Sequence, residues 1–414
     1  MPRYAVIVSR FPKFTETFIL QELRGMEARG LDFELYAVTH ETPEQLQPDA
    51  VDLDARANYI EHTSRELVTA QWHWLRRDPI RFLRTWWTGL RTAFPSRDAL
   101  QRAPLLVALA MAMARRMEEQ GVERVHAHWA TYPTLCALCI QELTGIPYSF
   151  TGHAHDIFGD TVGLGTKVAR ADAVLTCTDH GRSILVEHGG GEAAVGPRVH
   201  LVHHGVRLDR FEQQPLRERT PDEPLRILCV AALQEYKGHR YLLDACAELT
   251  RRGVPNVLTL LGDGELRAEL EQQAAALGLD VRFLGRRPSD EVRAELIATD
   301  VFSLASVLLD NGYMDGIPNV CVEAMAIGRP VVMASLPGIR ELVTHEETGL
   351  LATSRDSAAL AEQLARITTD RPLVETLVAK GRARVEAEHD AEANLDEVHR
   401  ILSSLPLTRR RARR

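Results

Sequence analysis

Short apolar runs alternate with longer amphipathic segments along almost the whole chain. In the first half, runs rich in β-branched and aromatic residues predict strands over residues 4–9, 33–38, 124–128, 148–151, 173–177 and 200–204. The segments between them, such as residues 16–29, carry apolar side chains at helical spacing. Strands that alternate with helices form right-handed βαβ units, so the pattern predicts a parallel sheet covered by helices on both faces.

The pattern is interrupted once and then restarts. Residues 212–225 read EQQPLRERTPDEPL, and their three prolines prevent a regular element. Beyond them, strands are predicted over residues 226–233, 257–261, 281–284, 301–304, 330–334 and 349–352. The expected fold class is therefore α/β, with two doubly wound parallel-sheet domains. The assigned ranges are 1–211 for the first domain, 212–225 for a linker, 226–385 for the second domain, and 386–414 for a carboxy-terminal helix, able to pack back on the first domain, with a basic tail.

An insertion at about residues 64–120 departs from this rhythm. Four of the five tryptophans lie there among arginines: Trp72, Trp74, Arg76, Arg77, Arg81, Arg84, Trp86 and Trp87. Two interpretations are open. Arginines and tryptophans on a helix suit in-plane binding to the inner leaflet of a membrane, whereas a helical hairpin on the first domain would use the arginine stems to cover apolar surface. The basic tail at residues 409–414 is either a solvated end or an anchor.

Composition narrows the class of protein. The chain has 414 residues, of which 45% are hydrophobic and 26% charged, and this excludes a disordered chain or a small disulfide scaffold. A net charge of −8 and a pI near 6.1 argue against a nucleic-acid partner. Six cysteines without a paired framework fit a reducing compartment, and the C-x2-C at Cys136 and Cys139 lies in the apolar run LCALCI, which favours helix packing over zinc.

The amino-terminal run leads directly into a predicted strand and leaves no room for a signal peptide. The most apolar stretch, residues 104–114, is shorter than the about 20 residues that a bilayer requires. We therefore expect a cytoplasmic protein.

The densest chemical signal is DGIPNVCVEAMAIGRPVVMASLPGIREL, residues 315–342. Glycines and a proline predict a loop that enters a helix at about Asn319. The amides of Gly316, Ile317 and Asn319 would lie at the amino terminus of that helix, which suits an anionic or hydroxyl-rich ligand. Pro318 fits the first helical turn, because its missing N–H would have no partner there.

Glu323 lies one turn inside this predicted helix, on a segment that is otherwise apolar. A carboxylate in that position either points into a cleft or pairs with an arginine such as Arg340. The sequence leaves both possibilities open.

The chain resembles the family-4 retaining glycosyltransferases of the GT-B fold. The signature is a carboxylate, seven residues and a glutamate around G-I-P-N, followed by E-A-M-A-x-G-x-P-V-V. Further motifs in the same order resemble the bacterial exopolysaccharide, or colanic-acid-type, branch: SRFPKFTETFI (9–19), HAHWA (126–130), SFTGHAHDIF (149–158), HHGVRLDRF (203–211), YKGHRYLLDACAEL (236–249) and LLGDGELR (260–267). The resemblance implies two Rossmann-like domains that face each other across a cleft.

The resemblance also implies roles for individual residues. Glu323 would hold the ribose hydroxyls of a sugar nucleotide, because an ionised carboxylate accepts hydrogen bonds from two O–H donors. Asp315 would contact the donor sugar together with the segment that follows it. Aspartate keeps the charge of the usual glutamate but shortens its reach by one methylene. The donor-binding segment consists of Gly316, Ile317, Pro318 and Asn319.

Lys237 corresponds to the family lysine that neutralises the donor diphosphate, where charge grows as the glycosidic bond breaks. In the family an arginine usually precedes this lysine. This chain has alanine at that position, Ala232. His153 corresponds to a histidine that contacts the donor sugar near the anomeric carbon; the alternative is a loop histidine satisfied by backbone. Arg286 would lie at the nucleotide base.

The turn after the first strand contains Thr15 and Glu16, which would face the acceptor and the donor phosphates. Thr15 is equally suited to cap the following helix.

Together these features predict a retaining, metal-independent transferase. It would move a hexosyl group from a nucleotide diphosphate sugar, its co-substrate and only small-molecule requirement, to a hydroxyl of a glycan or lipid-linked acceptor in polysaccharide biosynthesis. Two alternatives remain: a sugar-nucleotide 2-epimerase of the same architecture, and a weakly active donor-binding subunit, suggested by Ala232.

Overall fold

The computed structural model describes residues 3–13, 16–41, 48–220 and 222–406. They form two compact units. The first contains the described residues up to Val202 and those from Leu395 on, and the second is His203–Asn394. Thr15 and the basic tail at residues 409–414 lie outside the described residues.

The segment predicted as a linker, residues 212–225, belongs to the second unit, so this prediction is wrong. The Gln214 amide donates to the Ile327 carbonyl at 2.8 Å. The Arg217 guanidinium pairs with Asp300 at 2.8 Å. The prolines prevent a helix or strand, but backbone and guanidinium groups still find partners on the domain surface.

The first unit is built on a parallel sheet of order β3-β2-β1-β4-β5-β6-β7. Its central strands are buried on both faces, which is typical of a sheet covered by helices on both sides. Its strands are β1 (Tyr4–Phe11), β2 (Phe33–His40), β3 (Asn58–Tyr59), β4 (Arg124–His128), β5 (Tyr148–Gly152), β6 (Ala173–Thr176) and β7 (Val199–Leu201).

Helices cover both faces of this sheet and include the last helix of the described chain. The Tyr4 hydroxyl and the buried Arg124 guanidinium both donate to the Leu402 carbonyl, at 2.7 and 3.0 Å, and so fix that helix to the unit. The helices are α1 (Thr17–Ala28), α2 (Val51–Arg56), α3 (Arg65–Arg77), α4 (Pro79–Ala93), α5 (Arg97–Gln120), α6 (Tyr132–Thr144), α7 (Leu164–Arg170), α8 (Asp179–His188) and α9 (Glu192–Val195), and, later in the chain, α17 (Ala391–Ser404).

Helices α3 to α5 form the insertion. Asp78 caps α4 by accepting from the Arg81 amide, and Pro79 occupies its first turn. Trp74, one of the four tryptophans predicted to meet a membrane, is 2% exposed and donates from Nε1 to the Met111 carbonyl at 2.9 Å. Trp86 packs partly buried against the core. The prediction is therefore wrong for Trp74, since the helix face that carries it packs inward, and stays a prediction for Trp86.

The second unit repeats the architecture with a parallel sheet of order β10-β9-β8-β11-β12-β13. Its strands are β8 (Leu225–Val230), β9 (Asn256–Leu261), β10 (Val281–Gly285), β11 (Val301–Leu304), β12 (Val331–Ala334) and β13 (Leu350–Ala352). Its helices are α10 (His239–Arg251), α11 (Arg267–Ala276), α12 (Ser289–Ala298), α13 (Asn319–Ile327), α14 (Pro337–Leu342), α15 (Ser357–Thr369) and α16 (Arg371–Glu388).

Two doubly wound parallel sheets confirm the predicted α/β class. Cys136 and Cys139 lie buried on α6, where Cys136 Sγ is 3.7 Å from the Leu106 carbonyl. Within the described residues, we find no helix whose length and apolar character would let it cross a membrane.

Candidate functional site

The candidate site lies in the second unit, at the carboxyl ends of β8 and β11. These strands are neighbours, although two strands separate them in sequence, so the sheet order reverses between them. Such a switch point leaves a crevice beyond the strand ends, where α/β domains bind their ligands. Residues in the turns after β8 and β11 therefore become the first candidates for chemistry.

Lys237 and Asp315 meet at this switch point. Lys237 ends the turn after β8, and its Nζ lies 2.6 Å from Asp315 Oδ1. The lysine side chain is 14% exposed and the aspartate 10%, so the pair is mostly shielded from water. The structure thus brings together two residues that were predicted for diphosphate and sugar, respectively.

Three neighbours of this pair were not predicted from the sequence. Ser306, two residues beyond the end of β11, is fully buried and donates from Oγ to Asp315 Oδ2. The rings of Tyr236 and Tyr313 meet edge to face at 4.7 Å, and Lys237 Nζ lies 5.0 Å from the centre of the Tyr236 ring. The switch-point rule could have identified Ser306, because it follows the strand next to β8.

Burial also fixes the charge state of His239, the residue two positions after Lys237. It is 2% exposed, and burial, together with the nearby lysine, lowers its pKa to about 4. The imidazole is therefore neutral at neutral pH and contributes no charge to the site.

Gly238 connects Lys237 to the start of α10. Its φ is +67°, and a Cβ on it would lie 1.9 Å from the Ala305 carbonyl oxygen. Only glycine combines this left-handed conformation with so close a backbone contact.

We expect Gly238→Ala to lower the free energy of unfolding by at least about 2 kcal/mol, since left-handed strain and a backbone clash add together. Gly253→Ala is a matched control, because Gly253 has a φ of +78° but nothing within 4 Å of its Cβ position. Chemical denaturation of both variants measures the difference. Equal losses in the two variants would contradict the importance of the Ala305 contact.

Glu323 lies on α13, which begins at Asn319 as predicted, with Pro318 at the position before it. The loop that holds Gly316 and Ile317 is packed tightly: a Cβ on Gly338 of α14 would lie 2.9 Å from the Gly316 backbone. This contact positions the predicted donor-binding loop against the second unit's own helices.

The carboxyl group of Glu323 has an unusual environment. Burial raises its pKa to about 7, and the neighbouring Arg210 only partly offsets that effect. No hydrogen bond or ion pair joins Glu323 to any residue that the structure describes. Arg340, the predicted alternative partner, is exposed and donates instead to Ser335 Oγ at 3.3 Å. Of the two possibilities, the structural ion pair is therefore wrong. A half-buried carboxylate that has no hydrogen-bonding partner among the described residues is suited to bind hydroxyl donors.

Two other predicted positions lie on the surface of the second unit. Arg286, after β10, is exposed and bonds to no residue in the described part of the chain. Ala232 is exposed in the turn after β8, so an arginine side chain would have room there. The structure brings neither residue into contact with the Lys237–Asp315 pair.

In the first unit, His153 follows β5 and is 5% exposed. Its ring packs against Phe18 and Trp129, with centroids 4.9 and 4.5 Å away. Its backbone amide donates to Asp156 Oδ1 at 2.7 Å, and burial raises the pKa of that carboxyl to about 7. His153 is thus rigidly held at a sheet edge where doubly wound domains bind ligands; its donor contact stays a prediction.

Glu16, in the turn after β1, is 8% exposed and accepts a hydrogen bond from Lys13 Nζ at 2.6 Å. It occupies the position before α1, where it makes no side-chain capping bond. Its predicted role toward acceptor or phosphate stays a prediction.

Comparison with known proteins shows which family the second unit resembles. Residues 211–384 match the family described as glycosyl transferases group 1. The predicted family resemblance is confirmed. The chain is 35% identical over 210 residues to the amylovoran biosynthesis glycosyltransferase AmsK of Erwinia amylovora, covering 50% of this chain and 51% of AmsK. It is 38% identical over 215 residues to WcaL of Escherichia coli K12, a protein named for colanic acid biosynthesis, with 50% of each chain covered. The chain therefore spans about half the length of these curated relatives.

A solved structure covers nearly the whole chain. HepE of Anabaena, crystallised in complex with UDP and glucose, superposes with a TM-score of 0.70 at 18% identity over 97% of this chain and 99% of HepE. At this identity the likeness concerns the fold, which is GT-B.

Proposed function

We propose that the protein transfers a hexosyl group from a nucleoside diphosphate sugar to a hydroxyl group, with retention at the anomeric carbon. The observation that carries this proposal is the second-unit site. It contains a shielded lysine–aspartate pair at the switch point and the Glu323 carboxylate, which has no partner in the described ranges and whose pKa is raised to about 7 by burial. The family match of residues 211–384 and the family resemblance support the same activity.

Lys237 is equipped to bind the diphosphate without leaving Asp315. An ammonium group has three N–H donors, and Lys237 uses one of them on Asp315 Oδ1. The others are available for phosphate oxygens, where negative charge accumulates as the sugar departs. Asp315 Oδ1 and Oδ2 each accept one hydrogen bond, from Lys237 and Ser306. Each oxygen keeps a second lone pair for a sugar hydroxyl.

In the proposed reaction, the bond between the anomeric carbon and the diphosphate oxygen breaks. The acceptor oxygen forms its bond to that carbon on the same face, and its proton passes to the departing phosphate. Glu323 holds the ribose hydroxyls, and the loop from Gly316 to Asn319 lies against the sugar. No step requires a metal ion.

The acceptor is proposed to be a glycan or lipid-linked intermediate of a surface polysaccharide. Support comes from the curated relatives, two of which are named for amylovoran and colanic acid biosynthesis.

The test incubates the full chain with a panel of nucleoside diphosphate sugars, with and without a lipid-linked oligosaccharide acceptor. Acceptor-dependent release of nucleoside diphosphate, with the anomeric configuration preserved in the NMR spectrum of the product, is the expected result. An epimerised sugar nucleotide formed without acceptor would support the 2-epimerase instead. Donor binding without any turnover would support the binding subunit.

Restoring the missing cation is expected to increase turnover. Ala232→Arg places a guanidinium in the turn that leads to Lys237, and its planar fork can bind a phosphate through two hydrogen bonds. Charged hydrogen bonds of this kind contribute about 1.5–3 kcal/mol, so a gain of about tenfold in kcat is expected. Steady-state kinetics measure it, with Ala232→Gln as a neutral control of similar length. A loss of activity would show that the site has adapted to alanine.

We also propose that helices α3 and α4 bind an anionic membrane surface. The solvent-facing sides of both helices are apolar at helical spacing, with Trp72 55%, Leu83 63% and Trp87 66% exposed. The full stripe comprises Val68, Trp72, Leu75, Ile80, Leu83, Trp87 and, just beyond α4, Phe94. The opposite faces pack on the core, so the hairpin and membrane interpretations are compatible: one face covers the unit, and the other is left for lipid.

The contacts of the four predicted arginines indicate which of them can reach a membrane surface. Arg77 and Arg84 pair with Glu118 and Glu142, and Arg81 donates to the Leu143 carbonyl at 3.0 Å. Arg76 lies over the Trp72 ring at 5.5 Å, on the exposed side. Of the four predicted arginines, Arg76 is therefore the best placed to meet anionic lipid.

Replacing both Leu83 and Trp87 with glutamate is expected to abolish flotation with vesicles of phosphatidylglycerol and phosphatidylcholine. Each substitution removes apolar contact and adds charge that anionic lipid repels. Leu277→Glu, on the second unit and 39% exposed, is the control that should still float. Flotation of the double variant equal to that of the parent chain would leave the hairpin interpretation alone.

A further inference from the structure

A buried cluster of two histidines and a glutamate lies in the first unit, and no step proposed above uses it. His126 and His128 are two residues apart on β4, so both rings project from the same face of the strand. Glu22, from the buried side of α1, covers that face. Both histidines are 0% exposed and Glu22 is 8% exposed.

The spacing within this cluster is that of ligands around one ion. Glu22 Oε1 lies 3.6 Å from His126 Nε2 and 3.5 Å from His128 Nε2. Hydrogen bonds between nitrogen and oxygen are shorter, at about 2.7–3.2 Å. Ligand atoms on a tetrahedral zinc ion, with bonds of about 2.0–2.1 Å, are separated by about 3.4 Å. One carboxylate oxygen equidistant from two imidazole nitrogens fits the second geometry.

A neighbouring strand orients one of the rings. His126 Nδ1 lies 2.8 Å from Ser149 Oγ on β5. If Nδ1 carries the proton and donates it to Ser149, the lone pair of Nε2 faces Glu22 and His128. Histidines that bind metals are commonly held in this way, with the second ring nitrogen bonded to a fixed acceptor.

We propose that Glu22, His126 and His128 bind a zinc ion, with Ser149 as a positioning residue. Two imidazoles and one carboxylate are a common zinc ligand set, in which a fourth position is left for another oxygen. Thr151 Oγ1 is hydrogen-bonded to His126 Nε2 at 3.2 Å; in the zinc-bound form the metal takes that lone pair, and the Thr151 hydroxyl lies beside the fourth position. The rings of His126 and His128 are perpendicular at 5.0 Å, and His153 stacks on His128 at 6.1 Å. Such crowding favours the four ligands of zinc over a six-coordinate ion.

Zinc here would join α1 to β4, so its expected effect is on stability. The site is separate from the second-unit residues that carry the proposed transfer reaction. Metal content and unfolding temperature therefore test it even if the transferase proposal fails.

The first measurement is the metal content of the untagged full chain by mass spectrometry. We expect about one zinc per chain and a fall in unfolding temperature when a chelator removes it. Absence of zinc, with no stabilisation when zinc is added back, would overturn the proposal, as would iron in its place. In that case the cluster is a buried ion pair.

Variants connect the metal to these side chains. Glu22→Gln and His128→Asn are expected to contain no zinc and to show no response to the chelator, whereas the exposed His155→Asn should behave like the parent chain. Ser149→Ala should keep the ligands but weaken zinc affinity by about 10–100-fold. Full zinc occupancy in the Glu22 and His128 variants would contradict the assignment. If either variant folds poorly, cobalt exchange into the parent chain replaces it: an intense visible spectrum of a four-coordinate ion supports the site, and its absence overturns it.

Discussion

Replacing Lys237 with alanine is expected to lower the kcat of the proposed hexosyl transfer by about 10²–10³-fold, the usual effect of removing one group that stabilises developing charge. Among the residues that the structure describes, Lys237 is the only cation in contact with Asp315, at 2.6 Å. The arginine that could share its role in the family is absent, because position 232 is alanine. The charge on the departing diphosphate would then have to be met by backbone amides and water.

Within the described part of the chain, the same substitution leaves Ser306 as the remaining hydrogen-bond donor to Asp315. Because a shielded carboxylate without its cation is costly, the variant should also unfold at a lower temperature. Lys237→Arg keeps the charge and should restore stability more fully than activity, since the planar guanidinium fits the same space differently.

Lys380→Ala is the matched control for a lysine in the second unit. Lys380 is exposed, and its Nζ lies 3.8 Å from a Glu347 carboxylate oxygen. Its removal should change neither kcat nor unfolding temperature measurably. Unchanged turnover in Lys237→Ala, under conditions where the control is also active, would remove the lysine from the proposed reaction.

Replacing Glu323 with glutamine is expected to have opposite effects on stability and on donor binding. The carboxyl has a pKa of about 7 in the folded chain against an ordinary value of 4.5. A group with a raised pKa holds its proton more tightly in the folded state, so the free energy of unfolding falls as pH rises from about 4.5 to about 7. Glutamine cannot ionise, so that fall should be absent in the variant.

Glu323→Gln should therefore be more stable than the parent chain at pH 8 and no more stable at pH 4. Donor affinity should respond in the other direction. An ionised carboxylate accepts two hydroxyl donors, and hydrogen bonds to charged groups contribute about 1.5–3 kcal/mol, so the variant is expected to lose about 10–100-fold in affinity at pH 8.

Calorimetric titration and thermal unfolding between pH 4 and 8 measure both effects. Glu362→Gln, an exposed carboxylate on α15, is the control that should alter neither. If Glu323→Gln destabilised the protein at pH 8, the carboxylate would have a structural partner and the ribose role would be wrong.

The sequence predicted the fold well because its signals are local. The apolar runs of β8, β9 and β11 specify buried parallel strands on their own, and Pro318 with Asn319 specifies where α13 starts. The boundary between the units was less predictable. Three prolines mark where regular structure stops, but they do not show that Arg217 reaches Asp300 and holds the segment to the second unit.

The candidate site was likewise predictable only in part. Lys237, Asp315 and Glu323 were predicted through motifs, but their environments depend on contacts that are distant in the chain. Ser306 reaches Asp315 because β11 lies beside β8, and that adjacency is a property of sheet order. The elevated pKa of Glu323 results from packing around α13. That packing involves residues distant in the chain, so the local sequence does not predict it.

The tryptophan-rich insertion shows most clearly what the sequence pattern does not predict. Trp72 and Trp74 are two positions apart, yet one is 55% exposed and the other 2%. The amphipathic pattern predicts a helix with two distinct faces. Which tryptophan packs inward depends on α5, whose Met111 carbonyl accepts the Trp74 indole N–H.

The most direct test of the central claim is the affinity of the full chain for a nucleoside diphosphate and for its 2′-deoxy form. If Glu323 binds adjacent ribose hydroxyls beside a diphosphate held by Lys237, the parent chain should bind the ribonucleotide about 10–100-fold more tightly. In Glu323→Gln that preference should nearly vanish, whereas Lys237→Ala should weaken both ligands alike. Equal affinity of the parent chain for both nucleotides would contradict this account of the site.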